Sequence, residues 1–572
     1  MRRSFVIRVR ILSFFVILAA AFLIVRLYFI QIVHGDQYRA DALGQYVKDS
    51  GSITDRGNIL FTKKGGDEVA GAVMQGGWRI AINPMLLQNP DDAYARLNKV
   101  TPIDKEKFFA SAAKKNDPYE EVAFKLSNDE ADAVRNMKIQ GVTPVREEWR
   151  SYPAGSLAAN ALGFVGYAGD TRSGAAGLER YYEDTLRKDG GGLYINPFAE
   201  IFSNVKALVA TDPSSEKGDI VTTLEPDVQR ELEAQLDGVM KTYTPKIAGG
   251  IIMDPQTGEI IAIASRPSFD PNTYNLVTNP SVFSNPLVEG RYELGSIMKA
   301  LTMAVGVDTG VVSPTTNYDD TGCITRTGAK ICNYDGKARG VVPMQEVLNQ
   351  SLNTGATFVA EKVGHERFAD YIKKYGLGEE TGIDLPNEIP GNIGSLFTAG
   401  AADVDFASAS FGQAIAVTPI AMIRALSTLA NRGKLPEPHV VKSIRYESGI
   451  TRNLTQADQV QVLKPETAET VTNMLVTVFD DALLKGKLKM DHYSIAAKTG
   501  TAQIGDPVTH KYSLDRYLHS FFGYFPAHDP KYIVFLFAVE PHGAEFASAT
   551  LAQPFDDIAK FLINYYNVPP DR

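Results

Sequence analysis

From Ile11 to Val33 the chain runs through 23 mostly apolar residues, broken by Ser13, Arg26 and Gln31. A helix that crosses a bilayer core needs about 20 residues. The charge-free part, Ile11 to Val25, has 15, a length that also suits the apolar region of a cleaved leader. Arg26 can snorkel to the outer interface and extend the usable span. Arg2, Arg3, Arg8 and Arg10 precede the run with no acid among them, which holds residues 1–10 on the cytoplasmic side. The expectation is one uncleaved anchor over 11–33, with everything from about residue 34 exported. Cleavage is the alternative: Ala19-Ala20-Ala21 resembles a cleavage site, but apolar residues resume directly after it.

Residues 34–218 are polar and turn-rich, with Gly65–Gly66, Gly76–Gly77 and Gly190–Gly192 and short strand-like runs such as Trp78–Ile82. They predict an elongated accessory region that ends at the polar cluster 211–218. The pattern then sharpens. Pro226 suits a first helical turn, and Val228, Leu232, Leu236 and Val239 follow at helical spacing. Ile251–Met253 and Ile260–Ala264 flank Asp254-Pro-Gln-Thr-Gly258, a hairpin with turn chemistry at its tip. Phe521–Phe525 and Tyr532–Val539 predict a second hairpin around Ala527–Pro530, and Leu551–Tyr566 a last helix. Residues 219–572 therefore read as an α+β domain whose antiparallel sheet is assembled from both ends of the segment and flanked by helices.

Composition narrows the function classes. Apolar residues are 44% and charged residues 22%, which excludes a disordered, collagen-like or polytopic membrane chain. A net charge of −9 leaves no basic excess for a phosphate backbone, so nucleic acid is not an expected partner. Two cysteines exclude a disulfide-dense scaffold and a Cys-rich zinc site, and the eight histidines form no HxxxH or HxH cluster. No metal is expected, although a carboxylate-built site stays open. Cys323 and Cys332 are nine apart. In an exported domain they can close a small loop, and in a reducing compartment they would be free thiols.

Three short motifs carry the chemistry. Ser296-Ile-Met-Lys299 opens an apolar, buried-type helix. Residues three apart share a helix face, so Lys299 can point at the Ser296 hydroxyl. A serine needs a base to become a nucleophile, and a lysine can be that base if burial and nearby cations lower its pKa. Taken alone, the motif reads as readily as a helix cap with an incidental lysine. Ser351-Leu-Asn353 places a hydroxyl and an amide two apart, and alone it suits any polar loop. Lys498-Thr-Gly-Thr501 follows Ile495-Ala-Ala497 as a strand. Alternation puts Thr499 and Thr501 on one face and Lys498 on the other, so Lys498 has to reach a shared site through an edge position or local twist. Gly500 lets another backbone or a substrate approach closely. Alone, this is an ordinary edge strand.

In this order, S-x-x-K, S-x-N and K-T-G resemble the penicillin-binding proteins and serine β-lactamases. Further blocks extend the likeness: Tyr292–Lys299 with Leu294 where the family usually has proline, Asp254–Glu259, Ser265–Asn272, Gly382–Glu388, Phe411-Gly-Gln and Val417-Thr-Pro419. Asp55-Arg-Gly57, Arg150–Gly155 and Gly177-Leu-Glu179 match N-terminal blocks. Together they resemble a class B penicillin-binding protein, with the S-x-N form pointing to the division type.

That resemblance implies a transmembrane helix, an accessory (pedestal) domain over 34–218 and a transpeptidase domain over 219–572. It implies a serine-type D-Ala-D-Ala carboxypeptidase/transpeptidase chemistry that cross-links peptidoglycan stem peptides at the septum, outside the inner (cytoplasmic) membrane. Ser296 would be the nucleophile and Lys299 its base. Ser351 would relay a proton and Lys498 supply charge, while Asn353 orients the donor amide. Thr499, Gly500 and Thr501 would bind the substrate. No cofactor is implied. Implied partners are stem peptides of lipid II-derived strands, β-lactam antibiotics, a membrane glycosyltransferase and other division proteins. Alternatives are a β-lactamase, with Glu388 as the residue to activate water, a membrane-bound β-lactam sensor, and a catalytically dead division scaffold.

Overall fold

The structure is a computed structural model that describes residues 56–168, 171–188, 217–398, 400–454, 459–506 and 512–572. The expected anchor, 11–33, lies outside the described residues. Among those described, no helix is long and apolar enough to cross a membrane.

Strands β1 (Ile59–Thr62), β2 (Glu68–Ile82), β3 (Glu120–Leu126) and β4 (Val142–Ser151) form the N-terminal part of one mixed sheet. The strand-like run Trp78–Ile82 is the end of the 15-residue β2. β1 also pairs in parallel with β5 (Gly218–Thr222). β5 in turn pairs antiparallel with a strand at Val441–Tyr446, so this sheet draws on chain segments nearly 400 positions apart.

The N-terminal blocks meet in a buried ionic cluster. Glu179 is fully buried and accepts from Arg56 Nε and Arg150 Nε, both at 2.6 Å, and from Tyr152 Oη at 3.2 Å. Arg150 Nη1 also donates to the Gly57 carbonyl at 2.8 Å. Burial alone would raise the Glu179 carboxyl, but the two guanidinium groups outweigh it and hold it below its usual range. A charge this deep is tolerated only with partners on it, which explains why three separated blocks must come together.

The C-terminal part continues with helix α1 (Pro226–Tyr243), then β6 (Ile247–Met253) and β7 (Ile260–Arg266). Helices α2 (Met298–Asp308) and α3 (Asn353–Val363) belong to the helical middle. The chain returns through β8 (Ala496–Gly505), β9 (Tyr512–Phe525) and β10 (Tyr532–Val539), and ends in α4 (Ala547–Tyr566). The sheet order is β8-β9-β10-β6-β7, and every pairing is antiparallel. Both faces are covered, so these strands read as continuous apolar runs. Ile252, Val534 and Leu536 face α1 and α4, packing with Leu232, Phe555 and Ile558. Ile251, Phe535 and Phe537 face the opposite core, with Ile297, Met298 and Leu301. That second core positions the site, because α2 is buried along nearly its whole length.

Candidate active site

Gly295–Ile297 form a 3₁₀ turn that leads directly into α2. Gly295 has φ +67°, and a Cβ there would stand 3.1 Å from Ala502 Cβ. Glycine thus supplies both the left-handed turn and the close approach to β8. Lys299 follows one turn later and is 1% exposed. Its Nζ lies 3.0 Å from Ser296 Oγ, 2.6 Å from the Ser351 carbonyl and 3.2 Å from Ser351 Oγ. Burial, followed by the repulsion of Lys498, pushes the Lys299 amine well below its ordinary value. A neutral amine has two N–H groups and one lone pair. The two donors match the two Ser351 oxygens, and the lone pair is left for the Ser296 hydroxyl proton.

Ser351 adopts φ +55°, a conformation that costs a non-glycine residue about 1–3 kcal/mol and persists only where the surroundings over-determine it. Here they do. Lys299 holds its carbonyl, and Lys498 Nζ donates to its hydroxyl at 3.0 Å. The preceding Gln350 is gripped by Arg339 Nε at 3.0 Å and itself donates to Glu346 at 2.6 Å. Lys498 is also buried, and burial lowers its amine to about 7. Its second acceptor is the Thr499 carbonyl at 3.1 Å.

Asn353 begins α3, and its Nδ2 donates to the Cys332 carbonyl at 2.8 Å. Cys323 and Cys332 stand opposite each other in a small hairpin, Cα atoms 4.1 Å apart, and are joined by a disulfide. Behind them the fully buried Asp320 accepts from Thr354 Oγ1 at 2.7 Å and from Asn333 Nδ2 at 2.9 Å. It also accepts from the Gly322 and Arg339 amides. This network fixes the wall that carries Asn353.

The opposite wall is β8, an edge strand. Its Lys498–Gly500–Ala502 face looks at the turn that carries Ser296: a Cβ on Gly500 would meet the Leu294 carbonyl at 2.7 Å. Thr501 Oγ1 instead accepts from the Ala547 amide at 3.1 Å, at the start of α4. The alternation of the strand is kept, and the site is built on the lysine's face. Ser520, directly across from Gly500, donates to the Leu294 carbonyl at 2.6 Å and pins the turn to the sheet. His519, across from Thr501, is buried between Thr550 Oγ1 at 2.9 Å and the Glu545 carbonyl at 3.2 Å. Burial lowers its imidazole to about 4. Tyr334 and Phe546, one on each wall, meet edge to face at 5.8 Å.

The arrangement joins a serine hydroxyl, a buried lysine amine of lowered pKa and a second buried lysine amine, both amines within reach of the Ser351 hydroxyl. It is built for acyl transfer through a covalent ester. Residues 248–560 match the model of the penicillin binding protein transpeptidase domain, and residues 54–200 that of the penicillin-binding protein dimerisation domain. The chain belongs to the class B penicillin-binding proteins. It is 29% identical to Stage V sporulation protein D of Bacillus subtilis, over 96% of this chain and 84% of the relative. It is 30% identical to a protein named "Probable peptidoglycan D,D-transpeptidase FtsI" from Caulobacter vibrioides, over 73% and 65%. The apo crystal structure of penicillin binding protein 3 from Mycobacterium tuberculosis superposes with a TM-score of 0.65 at 27% identity, covering 74% of this chain and 92% of that one.

In this penicillin-binding protein, the motifs that place Ser296, Lys299, Ser351 and Lys498 within hydrogen-bonding reach are up to 202 positions apart. Sequence reasoning missed Asp320, Asn333, Thr354, Ser520 and His519. Their only signal is adjacency, to the disulfide, to S-x-N or across from K-T-G, and adjacency across strands needs a register. Glu388 has both carboxylate oxygens engaged, by the Thr381 amide and hydroxyl at 2.7 Å and the Gly382 amide at 3.0 Å. It closes its own loop, which leaves the β-lactamase reading without its water-activating residue.

Proposed function

We propose that this protein is a septal peptidoglycan D,D-transpeptidase, anchored in the inner membrane through residues 11–33 and working through an acyl-enzyme on Ser296. Residues 1–10 would be cytoplasmic, 34–218 the pedestal and 219–572 the transpeptidase domain on the outer side of that membrane. The observation that carries the reading is the buried Lys299 amine, depressed by burial and by Lys498, 3.0 Å from the Ser296 hydroxyl.

Lys299 takes the Ser296 proton as Oγ attacks the carbonyl between the two terminal D-alanines of a donor stem peptide. The oxyanion is held by the backbone amides of Ser296 and Thr501, a contribution of several kcal/mol in acyl transfer. Collapse breaks the C–N bond, and the leaving D-alanine amine receives a proton relayed through Ser351. Lys498 holds the terminal carboxylate; Thr499 and Thr501, on the other face of β8, reach it only across the strand's edge, Gly500 lets β8 lie against the Ser296 turn, and Asn353 orients the donor amide. An amine from a second stem peptide then attacks the ester and forms the cross-link as the bond to Ser296 Oγ breaks, and a proton from that amine passes through Lys299 to restore the Ser296 hydroxyl. A membrane glycosyltransferase and other division proteins would supply and place the strands.

Fluorescent penicillin followed by mass mapping tests this. Label should appear on Ser296 and persist, and Ser296→Ala should stay dark while remaining folded. A folded wild-type protein that takes no label would mark a dead scaffold, and label lost within minutes would mark a β-lactamase.

A further inference from the structure

A cavity of about 220 Å³ lies between the accessory and transpeptidase regions, smaller than the ~300–1,000 Å³ pockets that hold drug-sized ligands. It is not part of the Ser296 site. Its walls are Phe164 and Phe283, whose rings meet at 4.7 Å, together with Val288. Three polar groups join them, and each has capacity to spare. Arg180 is exposed, and its guanidinium bonds to none of the described residues. Asn285 is 4% exposed; its carbonyl oxygen caps the Leu287 amide at 3.1 Å, while its buried Nδ2 has no partner among the described residues. Glu289 accepts from the Asn285 amide at 2.9 Å through Oε1 alone, leaving Oε2 free of the described residues.

An unpaired cation, an unpaired buried donor and a half-used carboxylate around an apolar wall define one ligand chemistry. We propose that this cavity binds a small amphoteric carboxylate of one or two amino-acid residues. Arg180 would take its carboxylate, joined by Asn285 Nδ2 after a turn of that buried side chain toward the cavity, Glu289 would take its ammonium or amide N–H, and Phe164 and Phe283 a small apolar side chain. A buried donor gains when a ligand acceptor satisfies it, and a guanidinium matches a carboxylate in two-point geometry. Given the transpeptidase reading, on which this choice of ligand rests, two sources share that chemistry: the free D-alanine released at Ser296 and a terminal D-alanyl-D-alanine.

The test first blocks Ser296 with penicillin, so that binding there cannot contribute. The acylated full chain is then titrated by calorimetry with D-alanine in one arm and D-alanyl-D-alanine in the other. Saturable millimolar binding of at least one is expected, and the arm that saturates identifies the source. Arg180→Ala should weaken it at least tenfold, and Arg180→Lys should restore part of the loss. Neither substitution should alter the rate of penicillin acylation, since the cavity Arg180 lines includes none of Ser296, Lys299, Ser351 and Lys498. Absence of saturable binding in both arms, or equal binding by Arg180→Ala, would overturn the proposal. A protein that takes no penicillin would instead count against the transpeptidase reading. The same titration on the unacylated chain would then still decide the cavity, with Arg180→Ala as the discriminating variant.

Discussion

Replacing Gly500 with alanine adds one methyl where β8 touches the turn that carries Ser296. An ideal Cβ there lies 2.7 Å from the Leu294 carbonyl oxygen, 3.1 Å from the Ile297 amide nitrogen and 2.3 Å from Ser520 Oγ. The first two are backbone atoms that no rotamer can move, so strand and turn must part by several tenths of an ångström. Ser520 can swing away only by giving up its bond to the buried Leu294 carbonyl. An unpaired buried acceptor costs about 1–3 kcal/mol, and overpacking costs a similar amount. A loss on the order of 3 kcal/mol of stability follows. Ser296 lies between the two displaced backbone groups, so it moves relative to Lys498. A misplacement of about 1 Å can cost roughly 10²-fold in rate, so a shift of a fraction of that should slow acylation about tenfold. The assay is the second-order rate of acylation by fluorescent penicillin, with thermal unfolding alongside. Gly505→Ala on the same strand, where a Cβ meets nothing within 4 Å, is the control and should behave as wild type. If Gly500→Ala acylates at the wild-type rate with an unchanged melting temperature, the close-approach argument is wrong.

Acylation should follow a bell-shaped pH profile. It falls on the acid side as Lys299 gains a proton and can no longer accept one from Ser296. It falls on the alkaline side from about pH 7 as Lys498 loses its charge. A bound substrate carboxylate should move that alkaline limb upward, and a rate that only rises with pH would count against the assignment of Lys498. His519 predicts acid sensitivity of the fold: its folded value of about 4 lies below the unfolded ~6.5. The unfolded chain therefore binds more protons between those values, and about 3 kcal/mol is lost as pH falls from about 6.5 to 4. His519→Gln should flatten that slope in denaturant melts, and an unchanged slope would point to other groups. Glu179→Gln should destabilise the accessory region by about 3–5 kcal/mol, because it leaves Arg150 buried without a counter-charge and Arg56 with Glu183 alone, 2.8 Å away. Protease nicking that is no faster than in wild type would argue against it.

Local elements and the chemical inventory are legible in the sequence. Helical spacing from Val228 to Val239 and the two apolar hairpins mark α1, β6–β7 and β9–β10, because period and turn chemistry are written over a few neighbouring residues. The ordered motifs picked out Ser296, Lys299, Ser351 and Lys498, which the fold brings within hydrogen-bonding reach. How those groups meet is set by long-range packing. Which face of β8 looks at Ser296 depends on the packing of a turn some 200 positions away. The left-handed Ser351 is held by Lys299 and Lys498, neither of them its neighbour in the chain. Asp320 and Ser520 carry no motif and act through contacts that exist only once the sheet has its register. The lowered amines follow the same logic: burial is a property of the assembled core, and a lysine's pKa cannot be read until the residues that exclude water from it are in place.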